Sequence, residues 1–208
     1  MDDWISITLL RHGVTKANEE RRYLGWTDVP LTEAAKEKLR AMRLNKAQFD
    51  VCFTSDLLRA TDTAKLLYPN LQPIPLKAFR EMHFGEWEMK TYEELKHHSR
   101  YRAWIDAPDT VRPPGGEAYQ EMARRVEAGF QRIRSEINRS GRKEILLVSH
   151  GGVMRYLLSN YTRDKRTFFE WSTPHDLGYR LIWKREDWKD GVACTLFQEV
   201  PLMAKGSG

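Results

Sequence analysis

Two short apolar runs that each stop at a His-Gly turn constrain this chain more than any other feature. Ile5, Ile7 and Leu9 alternate with Ser6 and Thr8, the period of a strand, and the run ends at Arg11-His12-Gly13. Ile145-Leu146-Leu147-Val148 is apolar without a break, as a strand covered on both faces must be. It runs into Ser149-His150-Gly151-Gly152. Helical patterns lie between these strands. Thr32 is a plausible N-cap for good helix formers from Glu33 onward, 50–55 reads as a strand and 57–67 as a helix. In 118–140, Tyr119, Met122, Ala123, Val126, Phe130, Ile133 and Ile137 recur in threes and fours, which predicts a long helix with one buried stripe. Late strands are predicted at 179–183 and 195–197 around an Asp190-Gly191 turn. Strands alternating with helices predict an α/β fold of three layers, a mostly parallel sheet with helices on both faces. The short, charged, helix-prone segment from 91 to about 107, closed by Pro113-Pro114-Gly115-Gly116, is the excursion from the sheet. Over about 88–117 it is placed to form a small helical lid.

The 208 residues suit one domain over 1–208, and 41% hydrophobic content excludes a disordered or fibrous chain. A net charge of +5 suits a protein that handles anions without singling out nucleic acid. No Walker loop, dinucleotide fingerprint or nucleic-acid motif is present. No apolar stretch reaches the roughly 20 residues that span a bilayer, so no membrane partner is expected. The acidic start Met1-Asp2-Asp3-Trp4 runs directly into a strand-like pattern, and no signal peptide is expected. Cys52 and Cys194 form neither a disulfide framework nor a zinc site, and a cytoplasmic setting follows. The terminal Gly206-Ser207-Gly208 carries no information about the fold.

In open α/β sheets ligands gather beyond the carboxyl ends of the strands, so both His-Gly turns face one rim. Glycine after each histidine lets the chain turn sharply and lets a ligand approach, and a helix beginning soon after offers N–H groups to an anion. The strand end Thr54-Ser55-Asp56 leads into a helix that brings Arg59 to the same rim. Two arginines and two histidines there make a pocket for a dianion such as a phosphoryl group, since arginine binds phosphate through two N–H groups and stays charged. A carboxyl from Arg80-Glu81-Met82-His83-Phe84-Gly85-Glu86-Trp87-Glu88 could donate a proton to a leaving alkoxide. Glu86 and Glu88 compete with Glu81 for that role.

Arg11-His12-Gly13-Val14-Thr15-Lys16-Ala17-Asn18 resembles the RHGxTxxN signature of the histidine phosphatase superfamily, the phosphoglycerate-mutase-like proteins. Leu24-Gly25-Trp26, the 55–63 run with Arg59, Glu81 before Phe84-Gly85, Pro114-Gly115-Gly116-Glu117 and Ser149-His150-Gly151 match its later motifs in order. The resemblance implies a phosphoglycerate-mutase-like fold and a phosphohistidine mechanism. His12 would be the nucleophile, and Arg11, Arg59 and His150 the clamp on the phosphoryl oxygens. Glu81 would be the acid and later the base. Thr15, Asn18, Leu24, Gly25 and Gly151 would border the substrate. The implied partner is a small-molecule phosphate ester, turned over without metal or cofactor by a monomer or homodimer.

Mutases of this family usually carry Arg directly after the catalytic Glu, where this chain has Met82, and a longer middle segment. Here only Arg100 and Arg102 could substitute. The 84–95 stretch resembles instead the phosphatase branch, including α-ribazole phosphatase and broad-specificity enzymes. That branch commonly has Gly at Met89 and Ser at Ala118. Hydrolysis is therefore the favoured activity. The alternatives are a cofactor-dependent phosphoglycerate mutase and a non-catalytic phospho-ligand binding module. His83, His97 and His98 lack the companions of a metal site, because neighbours on a helix diverge by about 100°. His175, in Ser172-Thr173-Pro174-His175-Asp176, sits in a turn-like setting that could bring it to the pocket late in the chain. Trp87 and Trp104 could line a substrate entrance. The pair Arg124-Arg125 and the run Arg163-Asp164-Lys165-Arg166 read most simply as solvated faces.

Overall fold

The middle of the sheet is set by which strands flank the first one. A computed structural model describes residues 4–42 and 49–202, so Met1-Asp2-Asp3 and Gly206-Ser207-Gly208 lie outside the described residues. The strands are β1 (Trp4–Arg11), β2 (Val51–Thr54), β3 (Pro73–Pro75), β4 (Glu144–Ser149), β5 (Leu177–Lys184) and β6 (Leu196–Pro201). They form one sheet in the order β3-β2-β4-β1-β5-β6. The first four in that order are parallel, while β5 and β6 join antiparallel. The expected mostly parallel sheet is therefore present. The proline-bounded β3 sits at an edge, the place where a strand tolerates missing N–H donors.

Among the described residues the helices are α1 (Lys16–Glu19), α2 (Glu33–Ala41), α3 (Leu58–Leu67), α4 (Tyr92–Leu95), α5 (Ser99–Asp106), α6 (Tyr119–Ser140), α7 (Gly151–Tyr161) and α8 (Arg185–Asp190). On one face of the sheet, Ile5, Ile7, Leu9, Ile145 and Leu147 pack with Val126, Phe130, Ile133 and Ile137 of α6 and Leu157 and Leu158 of α7. On the other, Leu10, Cys52, Leu146 and Val148 pack with Ala35 and Leu39 of α2 and Ala60, Ala64 and Leu67 of α3. Each large side chain buried this way contributes roughly 1.5–3 kcal/mol. Because β1 is covered on both sides, its polar positions are buried as well. Ser6 is satisfied by the Glu144 carboxylate, which also holds Arg180 at 2.8 Å.

Local chemistry explains the element ends. The Thr32 hydroxyl accepts from the Ala35 N–H (3.2 Å) and starts α2 as expected. Gly141, in the left-handed conformation (φ 71°), closes α6. The expected Asp190-Gly191 turn between late strands is instead the end of α8. Glu186 and Asp187 favour the start of that helix, and its Trp188 is buried with the indole N–H on Asn138 Oδ1 (2.9 Å). The excursion folds as α4 and α5 around its own small cluster of Trp87, Leu95 and Tyr101, flanked by Tyr23, Phe84 and Trp104. Met89, where the resembling phosphatases have glycine, adopts φ 63°, a conformation glycine takes at no steric cost.

Ala118 is the N-cap of α6. The Glu121 carboxylate accepts from the Ala118 N–H (3.0 Å), but the cap residue offers no side-chain acceptor. Ala118→Ser completes the reciprocal pair and should raise stability by about 0.5–2 kcal/mol in urea unfolding. An unchanged midpoint would mean that this helix end is limited by packing instead.

Candidate active site

Register brings the two His-Gly turns together. Arg11 lies opposite Ser149, Thr54 lies opposite Val148, and the His12 N–H donates to the Ser149 carbonyl (2.9 Å). The ends of β1, β4 and β2 are thus level. The His12 and His150 ring centroids are 5.1 Å apart. His12 Nδ1 donates to the Gly13 carbonyl (2.7 Å), which fixes the tautomer and leaves Nε2 with its lone pair. The Gly13 N–H is held by the Thr63 hydroxyl (2.8 Å), which donates to the Arg59 carbonyl (2.6 Å). Burial, then the charges of Arg59 and Arg11, push His12 well below the usual histidine range, so the ring is neutral near pH 7.

His150 precedes α7 and is fully buried. Its Nε2 shares a 2.7 Å hydrogen bond with the Ser55 hydroxyl. Burial and then Arg59 lower its pKa well below the usual range too, so it is a neutral ring and not the imidazolium that a cationic clamp would suggest. Arg59 is fully buried in the first turn of α3 and donates to the carbonyls of Thr27 (3.0 Å) and Gly25 (2.6 Å). Burial lowers it to about 10 while Glu81 opposes the shift, so it stays cationic. Arg11 donates to the Thr173 carbonyl (2.8 Å). Arg11 Nε, Arg59 Nε and His150 Nδ1 are buried with no hydrogen-bond partner among the described residues, three groups of one rim left over after the fold is satisfied.

Glu81 reaches the same rim on a built shelf. Its carboxylate accepts from the N–H groups of Gly152 (3.0 Å) and Met82 (2.9 Å). A Cβ on Gly152 would collide with Glu81 Oε1, so the second glycine after His150 makes room for this carboxylate. Arg125 donates to the carbonyls of Ala78 (2.9 Å), Arg80 (2.6 Å) and Glu81 (2.8 Å) and pairs with Glu117 (2.6 Å). The expectation that Arg124-Arg125 form a solvated face holds for Arg124 only, because Arg125 fastens the backbone that carries Glu81. The Glu117 N–H donates in turn to the His83 carbonyl (2.8 Å), which explains why the Glu81 and Pro-Gly-Gly-Glu segments go together. Arg166 likewise departs from a solvated face, lying 3.7 Å over the Trp171 ring.

The competing carboxylates are elsewhere. Glu86 is exposed. Glu88 accepts from the N–H groups of Trp26 (2.7 Å), Thr27 (2.8 Å) and Phe84 (3.1 Å). Burial pushes its pKa up, but these bonds together outweigh it and keep the group ionised as the organiser of the 25–27 loop. Thr15 and Asn18 are engaged with each other in the capping box of α1. Gly25 gives its carbonyl to Arg59, whereas the buried Leu24 side chain supplies only apolar surface. A Cβ on Gly151 would lie 3.7 Å from Arg11 Cζ and 3.8 Å from Glu81 Oε2, so this glycine borders the rim. Trp87 is buried in the excursion's cluster and does not line an entrance, but Trp104 does.

Beside Glu81 opens a cavity of about 170 Å³, lined by Tyr23, Met82, Phe84, Trp104, Tyr119, Phe168 and Phe169, with Arg155 its one cation among the described residues. Arg100 and Arg102 are exposed and outside it. His83 stacks on Trp26 (4.9 Å), and His97 and His98 are exposed. Among the described residues no group of three or more His, Cys, Asp or Glu is spaced to hold a metal ion. Sequence reading missed Ser55, Thr63 and Thr173 as supports of the rim, and left His175 without a role. Hydroxyls in supporting positions carry no pattern of their own.

A profile of the histidine phosphatase superfamily (branch 1) matches residues 7–189, and the chain belongs to that family. An adenosylcobalamin/alpha-ribazole phosphatase of Salmonella typhimurium is 35% identical over 158 residues, covering 73% of this chain and 76% of that protein. A 2,3-bisphosphoglycerate-dependent phosphoglycerate mutase 2 of Gloeobacter violaceus is 33% identical over 165 residues, 73% of each chain. The crystal structure of the alpha-ribazole phosphatase from Shigella flexneri aligns with a TM-score of 0.78 at 28% identity, covering 88% of this chain and 92% of that one.

Three imidazoles of this site, His12, His150 and His175, resist protonation when folded. Unfolded, each takes up a proton below about pH 6.5. Their contribution to stability is therefore complete above about pH 6.5 and is lost as the pH falls, for His175 down to about 4. Urea midpoints should drop between pH 7 and pH 5. A His12→Asn/His150→Asn variant should lose less, by up to about 2 kcal/mol per histidine removed. An equal drop in both proteins would show that these rings are charged in the fold.

Proposed function

We propose that the chain is a phosphomonoesterase that hydrolyses small phosphate esters through a phosphohistidine on His12, without a metal or cofactor. The observation that carries this reading is the geometry of His12. A neutral ring with Nδ1–H spent on Gly13 holds Nε2 ready for attack beside two arginines, with Glu81 fixed at the same rim. Nε2 bonds to phosphorus as the ester P–O bond breaks, and Glu81, which enters this step as the neutral acid, delivers its proton to the leaving oxygen and is left ionised. The ring gains positive charge in this step, and its Nδ1–H bond to Gly13 strengthens accordingly. Arg11, Arg59 and His150 donate to the phosphoryl oxygens, where stabilisation of transferred charge does most of the work. Water then gives a proton to Glu81 and attacks phosphorus. The P–N bond breaks and phosphate leaves a neutral His12.

The cavity beside Glu81 favours hydrolysis over isomerisation. A mutase must hold an intermediate with two phosphates and a carboxylate. Here the walls are mostly aromatic or thioether, Met82 stands where the resembling mutases carry Arg, and Arg155 is the one cation among the described residues that line it. Esters with apolar or aromatic leaving groups suit these walls, and the α-ribazole phosphatases among the relatives make an α-ribazole phosphate a natural member of a substrate screen. The working unit is one domain with residues 88–117 as its lid. The buried free thiols of Cys52 and Cys194 suit a reducing cytoplasm.

His12→Ala should abolish turnover of p-nitrophenyl phosphate with the fold intact, and the wild-type rate should be unaffected by EDTA. Glu81→Gln should slow an alkyl phosphate by about 10²–10⁴-fold and p-nitrophenyl phosphate far less, since p-nitrophenolate leaves without a proton. Equal losses on both esters would remove Glu81 from the acid role. A rate of 3-phosphoglycerate isomerisation with bisphosphoglycerate that exceeds hydrolysis would make the enzyme a mutase.

A further inference from the structure

We propose that His175 is a positioning residue for the transfer step, holding the peptide that carries the attacking imidazole. The inference rests on the phosphatase reading and adds a residue that none of the motifs above contains. His175 Nδ1 lies 2.6 Å from the His12 carbonyl oxygen, and its ring meets the His12 ring edge-on with centroids 5.3 Å apart. A carbonyl only accepts, so Nδ1 must carry the proton. Burial and then Arg11 hold this histidine down to about 4, so the bond comes from a neutral ring that adds no charge beside the nucleophile.

The main-chain groups of the His12-Gly13 turn are each held. The His12 N–H is bound by β4 and the Gly13 N–H by Thr63. The Gly13 carbonyl accepts from the Nδ1–H of the His12 ring. The His12 carbonyl is the fourth, and His175 is its donor. Without that bond the peptide joining His12 to Gly13 is pinned only through the Gly13 N–H on Thr63. Tilting of that plane would shift the His12 and Gly13 α-carbons, and with them the bond between the His12 ring and the Gly13 carbonyl that fixes the tautomer and direction of the nucleophile. A catalytic group misplaced by about 1 Å can lose about a hundredfold in rate.

The loop that carries His175 is itself braced. Trp171 O is held by Arg155 (3.0 Å), Ser172 O by Tyr179 (2.7 Å) and Asp176 O by Leu202 (2.9 Å). The same loop gives Thr173 O to Arg11, so one segment orients both members of the Arg11-His12 pair. Packing alone does not account for His175. Besides His12 it borders an apolar cavity of about 220 Å³ shared with Gly13, Val14, Lys38 and Leu39, so the ring is not wedged into a filled core.

The test is steady-state hydrolysis of p-nitrophenyl phosphate by the wild type and by His175→Ala, His175→Asn and His175→Gln, with melting temperatures measured alongside. The Asn side chain can place an N–H where Nδ1–H stands, and the longer Gln cannot. His175→Ala and His175→Gln should lose about ten- to a hundredfold in kcat with KM within about twofold. His175→Asn should recover to within about threefold of the wild type. A kcat unchanged in His175→Ala, or losses in all three variants that follow the melting temperature, would overturn the inference and leave the proposed function standing. A wild type that hydrolyses no phosphate ester would overturn both.

Discussion

The parallel pairing of β1 with β4, with Arg11 level with Ser149, is the constraint on which the site depends. It is a backbone register, held by hydrophobic residues that have nothing to do with phosphate. A slip of one residue would turn Ile145 and Leu147 to the wrong face and separate His12 from His150. The core therefore enforces the spacing of the two imidazoles. Stability and function are joined here at the level of strand pairing, and the helices that follow each strand only refine the position.

What the fold then tolerates is an accumulation of positive charge in a buried place. Arg11 and Arg59 lie within reach of the two rings and depress the basicity of both. Removing guanidinium groups from water is costly, and carbonyls of Gly25, Thr27 and Thr173 recover only part of that cost. Glu81 is the carboxylate whose charge opposes the shift of both arginines. A site organised in this way is unsuited to an empty structural role. Buried cations beside neutral imidazoles suit an anion, and the proposed attack by His12 rests on that setting. Supporting residues such as Thr63, Arg125 and Glu88 serve to hold backbone in place at the pocket's edge.

Much of this was legible in the chain itself. The strand patterns of Ile5 to Leu9 and Ile145 to Val148 are strong because both strands are central, and the long stripe of α6 has an unambiguous period. The rim was legible because His-Gly turns at strand ends are specific in both chemistry and place. Other features were hidden for physical reasons. The prolines at Pro73 and Pro75 disguise an edge strand, and acidic residues before a single buried Trp188 make α8 read as a turn. Arg125 reads as surface because its partners are three carbonyls of 78–81 and the Glu117 carboxylate, a set with no signature in a sequence. Which wall Trp104 lines depends on how the excursion packs, and local periodicity does not encode that.

A crystal structure of the protein with vanadate bound would test the convergence of these side chains on one oxyanion most directly. The account predicts vanadium bonded to His12 Nε2, with Arg11, Arg59 and His150 Nδ1 donating to the equatorial oxygens and Glu81 beside the apical oxygen opposite the ring. Vanadate bound to other residues, or bound at the rim with His12 Nε2 turned away from the metal-oxygen centre, would contradict it.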